Sequence, residues 1–130
     1  MPAWRSDELD RALSGPIRVD AGAVVVVPDP IFVANLKCIA DFAARHRVPS
    51  IAHLREFAEA GGVLTYGPDR ADLFRRAADY VDKILKGARP LDLPIQQPTK
   101  FELVVNLKIG KALGPMLSPS LLLRASHIIE

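Results

Sequence analysis

The stretch VVVVPDPIF, residues 24–32, sets the strongest limit on what this chain can fold into. Valine is β-branched and suits a pleated, packed surface. Four in a row, without alternation, predict a strand over residues 23–27 that is central in its sheet and buried on both faces by helices. Pro28-Asp29-Pro30 then ends the strand and starts the next element. Aspartate is among the preferred helix N-caps, and proline at the first helical position costs nothing, because that N–H has no intrahelical partner. A helix over residues 31–46 is expected, with Phe32, Leu36, Ile39 and Ala43 on one stripe at helical spacing. Arg45, His46 and Arg47 close it where the helix dipole is negative.

The same alternation continues along the chain. Further strands are expected over residues 48–54, 63–67 and 101–107. Between and around them come helices over 6–13, capped by Ser6, and over 55–60, stopped by Gly61-Gly62. A longer helix over 69–86 is capped by Asp69, with Phe74, Ala77, Ala78, Val81, Ile84 and Leu85 on its apolar face. A helical turn or two follows over 108–113, and Ser118-Pro119 opens a last short helix through Leu121, Leu122 and Ala125. Residues 88–100 are proline-rich and aperiodic, an extended connector with too few residues after it to begin a second domain. The fold class predicted is α/β: a three-layer sandwich with a mostly parallel sheet, in one domain over residues 1–130.

Composition excludes several functions. With net charge +2 on 130 residues, and both signs interspersed, nothing argues for nucleic acid or an anionic membrane surface. Cys38 is the only cysteine, which excludes an intrachain disulfide and a cysteine-built metal site; its apolar neighbours predict a core position. No run of about 18 apolar residues exists to span a membrane. The start, MPAWRSDELDRALSG, lacks the apolar region of an export signal, so a complete gene of this sequence is expected to yield a cytoplasmic protein.

In open α/β sheets ligands bind beyond the carboxyl ends of the strands. That rule selects Pro28, Asp29 and Pro30, then His53, then Tyr66, Gly67 and Pro68, and finally Asn106 and Lys108 after the last expected strand. Asp29 can cap a helix and still present its second oxygen to a ligand. Tyr66 offers a flat apolar face with one hydroxyl, suited to a small organic molecule. No phosphate loop, dinucleotide fingerprint or nucleophile elbow is present, and His46, His53 and His127 lack metal-ligand spacing. Neither a catalytic group nor a metal or cofactor is expected.

Whole phrases carry a resemblance: AVVVVPDPIF, ILKGARPLDLPIQQPTKFELVVNLKIGKALG and SPSLLLRASHIIE. These resemble the C-terminal part of ABC transporter substrate-binding proteins of the type I periplasmic-binding-protein fold, in the tryptophan/tyrosine-type uptake branch. The resemblance runs from about Leu9 to Glu130. It implies a non-enzymatic protein whose two lobes close on a small solute, such as an amino acid, and deliver it to an ABC permease in the periplasm. It also implies that this chain corresponds to most of the second lobe plus a crossover helix over 69–86, without the first lobe. Cleft-rim positions implied are Pro28, Asp29, Pro30, His53, Tyr66 and Gly67, with His53 standing where relatives more often have tyrosine. Two expectations follow from half a cleft: weak or no solute binding by this chain alone, and a homodimer that covers the crossover helix, formed through exchange of residues 69–107. Outside the family, a receiver-like phospho-acceptor domain would use Asp29 as acceptor and Lys108 beside it; a self-assembling structural module is the other alternative.

Overall fold

The computed structural model describes Glu8, Arg11, Ala12, residues 21–114 and residues 117–130. Glu8, Arg11 and Ala12 are helical, in keeping with the helix expected over 6–13, whose cap Ser6 lies outside the described residues. The elements that follow are β1 (Val24–Val25), α1 (Pro30–Ala34), α2 (Leu36–Arg45), β2 (Ser50–Ala52), α3 (Arg55–Glu59), β3 (Leu64–Pro68), α4 (Arg70–Leu85), β4 (Phe101–Asn106), α5 (Leu107–Ala112), α6 (Pro119–Leu123) and β5 (His127–Ile129). A short 3-10 turn, Pro90–Asp92, interrupts the connector.

The strands form one five-stranded sheet in the order β1-β2-β3-β4-β5. Pairing is parallel for β1–β2, β2–β3 and β4–β5, and antiparallel for β3–β4. The architecture is therefore the α/β, mostly parallel sheet that the alternation predicts. The antiparallel pair follows from the path of the chain: α4 and the connector leave from the carboxyl end of β3 and return to that same end, where Pro68 pairs with Phe101.

The main core cluster lies on one face of the sheet, and at β4 both faces are buried, since Val104 and Val105 point to opposite sides. Val26 and Ala52 pack with Leu36, Ile39 and Ala40 of α2 and with Phe57 of α3. Phe57, Val104 and Val105 have no exposed surface, and Val63 and Thr65 have almost none. The two glycines after α3 allow this density. Gly61 takes φ +108°, a left-handed conformation that ends the helix. Gly62 lies so close to Phe57 that a Cβ would sit 2.1 Å from its ring.

Asn106 joins three elements from within the core. Its side-chain amide donates to the Ala58 carbonyl at 2.9 Å, its Oδ1 accepts from Ile109 N–H at 3.1 Å to cap α5, and its backbone N–H donates to Val63 O at 2.9 Å.

The four valines are not covered on both faces. Val26 is buried, but Val25 is 71% and Val27 54% exposed, because β1 is an edge strand of this sheet and its second face is open among the described residues. Asp29 does cap the next helix, accepting from Ile31 N–H at 2.8 Å with Pro30 at the first position. The expected single helix over 31–46 is divided at Asn35, whose side-chain amide donates to Ile31 O at 2.8 Å and whose φ of −122° leaves the helical range. Cys38 is half-buried at the margin of the core rather than inside it, since it sits between the buried Leu36–Ile39 stripe and the exposed flank of Lys37. The last helix ends at Leu123, and β5, which the sequence reading missed, pairs with β4 through His127 and Ile128.

Candidate functional site

Parallel strands β1, β2 and β3 end on the same edge of the sheet, and that edge carries a groove of about 520 Å³. Its floor is one face of β3–β4, where Thr65 pairs with Val104 and Gly67 with Glu102. Its walls are the segment from His53 through α3, and the segment Pro68–Phe74 that opens α4. Asp69 caps α4 by accepting from Asp72 N–H at 3.0 Å, which fixes the turn out of β3.

Gly67 is required by close approach. A Cβ there would lie 2.0 Å from the backbone oxygen of His53, so the ends of β2 and β3 meet only because residue 67 has no side chain. His53 Nδ1 is buried and has no hydrogen-bond partner within the described structure. A buried polar atom of this kind costs free energy until something satisfies it.

The charges of the groove are mixed, and several neutralise one another. Arg70 reaches across to Glu56 at 3.1 Å, joining the start of α4 to α3, and Arg55 holds Glu59 at 3.0 Å. His127 stands 3.8 Å from Glu102. Below the start of α4, Asp72 accepts from Lys100 Nζ at 2.8 Å, and Arg75 approaches the same oxygen at 3.5 Å. The Lys100 hydrogen bond, more than the charges around it, holds the Asp72 carboxyl below its ordinary value of 3.8. A carboxyl whose pKa is lowered on folding contributes stability above its unfolded value and loses that contribution as pH falls through its folded value. Lys100→Met should therefore flatten the acid limb of the stability profile below about pH 4. Urea titrations of both forms across that range check this; parallel acid limbs would show that the pair does not hold α4 to β4.

Of the residues singled out from sequence, His53, Gly67 and Pro68 line the groove together. Tyr66 points to the other face of β3, half exposed, with its ring stacked on Phe101 at 5.6 Å between centroids. Pro28, Asp29 and Pro30 lie on the same sheet edge at the end of β1 but do not line the groove. Asn106 and Lys108 belong to the opposite edge, because β4 runs antiparallel to β3; the sequence rule misplaced them by taking every strand as parallel. Lys108 therefore cannot stand beside Asp29 as a phospho-acceptor domain would need. Arg70, Glu56, Phe74 and Glu102 line the groove without having been singled out as site residues, since the first three come from the opening turns of helices and the last from the antiparallel strand.

No group of three or more His, Cys, Asp or Glu that could hold a metal ion exists among the described residues. Within those residues, no helix is long and apolar enough to cross a membrane.

Solved structures share this fold. A conserved domain protein from Vibrio cholerae superposes with a TM-score of 0.84 at 22% identity, covering 95% of this chain and 42% of its own. An ABC domain from Streptococcus pneumoniae, solved in complex with L-Trp, gives the same TM-score, 0.84, at 22% identity over 95% of this chain and 42% of its own. A ligand-free, open substrate-binding protein with adhesive properties from Clostridium difficile matches at TM-score 0.70 and 24% identity, over 96% of this chain and 41% of its own. The chain thus spans about two fifths of each of these structures. No curated protein matches it significantly. The sequence model for ABC transporter substrate-binding proteins matches residues 3–129. With nearly its whole length matched, the chain belongs to the ABC transporter substrate-binding protein family.

Proposed function

We propose that these residues form most of the second lobe of a substrate-binding protein for small-solute uptake, with α4 as the element that crosses toward a first lobe. The observation that carries the reading is the coverage: 95% of this chain superposes on 42% of an ABC domain solved in complex with L-Trp. The solute class that fits is a small amphoteric molecule such as an amino acid, met at the sheet edge bearing Pro28, Asp29, Pro30, His53, Tyr66 and Gly67. In this reading the protein is not an enzyme; it hands its solute to an ABC permease, and the full-length protein acts in the periplasm.

The 130 residues alone are expected to bind such a solute weakly or not at all. A site that holds a small molecule tightly buries most of its surface. The groove here has the walls of one lobe, and Arg70 and Arg55 are already paired with Glu56 and Glu59. At a concentration equal to Kd a ligand stabilises a protein by only about 0.4 kcal/mol. Titration of L-tryptophan, L-tyrosine and other amino acids at millimolar concentration should therefore move Tm by no more than about 2–3 °C. A large, saturable rise with any of them would show that one lobe suffices and overturn the half-cleft reading.

A further inference from the structure

Beyond its first turn, where Arg70 reaches Glu56 of α3, α4 packs closely on no other strand of the described residues; what lies along it is the connector. Arg76 donates to Gln97 O and Thr99 Oγ1, each at 3.3 Å, and the Tyr80 hydroxyl donates to Pro94 O. The stripe Leu73, Ala77, Tyr80 and Ile84 faces the connector across an open groove lined also by Pro90, Leu93 and Pro94; Leu73 and Tyr80 are half-buried there, while Ala77 and Ile84 stay exposed. The helix carries a second apolar stripe on the side turned away: Phe74, Ala78, Val81 and Leu85. Phe74 is 69%, Val81 55% and Leu85 81% exposed, and Ala78 is exposed as well. Contiguous apolar surface of this kind marks an association site.

We propose that in the 130-residue chain this stripe pairs with the same stripe of a second copy, as two antiparallel α4 helices about a two-fold axis. The spacing is the first argument. Intervals along the stripe are four, three and four residues, a series that reads the same in both directions. An isologous interface needs this self-complementarity. Antiparallel pairing seats Phe74 on the partner's Leu85, and Ala78 on the partner's Val81, so a small residue meets a larger one at the centre. The flank is the second argument. Arg75 and Asp82 lie on the same edge of the stripe, two turns apart, with their side chains 70% and 58% exposed. In an antiparallel pair like edges face each other, so Arg75 meets the partner's Asp82, and the symmetry repeats the ion pair. Because β4 already pairs with β3 of its own chain, this contact requires no exchange of strands. Phe74 also lines the groove, so the partner's helix end would stand beside its mouth.

The pairing does not depend on the solute-binding reading and is tested without solute. Light scattering and sedimentation on the full chain at tens of micromolar should give twice 14.2 kDa. Arg75→Glu alone places two acids together, and Asp82→Arg alone places two bases together; each variant should be monomeric. An equimolar mixture of the two should dimerise, because every cross-helix pair then joins opposite charges, and the double variant should dimerise by itself. Circular dichroism confirms that each variant is folded. A monomeric wild type overturns the proposal, as do single variants that stay dimeric, or a mixture that stays monomeric.

Discussion

Phe57→Ala is expected to remove about 3–5 kcal/mol of stability, against a total of roughly 5–15 kcal/mol for an ordinary domain. Phe57 is fully buried, packed beneath Gly62 and among Val26, Leu36, Ile39, Ala40 and Ala52. Together with the buried Ala58, whose carbonyl Asn106 holds, it fastens the short helix α3 to the core. A helix of five residues has no independent stability. Once the ring is gone, α3 loses its largest apolar anchor, which loosens the wall of the groove that carries Arg55, Glu56 and Glu59. Urea unfolding followed by circular dichroism should show the midpoint falling by about 2 M. A midpoint within error of wild type would mean that α3 is held by something other than this ring.

The second large effect comes from a single methyl group. Gly67→Ala puts a Cβ 2.0 Å from the His53 carbonyl oxygen, and that oxygen is backbone, so it cannot rotate away. The ends of β2 and β3 must separate, which opens the groove's floor and displaces His53. Overpacking of this kind costs about 1–3 kcal/mol, and a rigid backbone neighbour places this site at the upper end. Gly22→Ala is the control: a Cβ at Gly22 meets nothing within 4 Å and should leave the urea midpoint unchanged. Equal midpoints for the two variants would refute the close approach of strands. In the variant at residue 67, an altered His53 ring signal in NMR would locate the damage at the sheet edge.

Much of the fold was legible because its local signals agree with one another. Asp29-Pro30, Asp69 and Ser118-Pro119 cap the helices they were expected to cap, since a cap is a contact between residues two or three apart. Asn35 shows the limit of the same logic. The apolar stripe runs unbroken through residues 31–46, but one side-chain amide competing for a backbone carbonyl was enough to divide the helix.

The candidate site was legible only in part. His53, Gly67 and Pro68 lie at or just past the carboxyl ends of strands that really are parallel, so the rule about carboxyl ends finds them. Asn106 and Lys108 follow a strand that is antiparallel, and no property of FELVVNL records its direction. Strand direction is set by where the chain has been before it pairs, which local periodicity does not contain. β5 escaped for a related reason: His127–Ile129 is three residues long, and a segment that short becomes a strand only when β4 offers it a ladder.

By itself, then, the sequence determined the order of helices and strands apart from β5 and the break at Asn35, the capping residues and the family, all of which rest on short-range pattern. Only the tertiary structure decided which faces those elements bury. It left Val25 and Val27 open on an edge strand, turned β4 against β3, and set one apolar stripe of α4 along the groove beside the connector and another facing outward. Burial is a property of what arrives on the other side of a residue, and that partner lies many residues away along the chain.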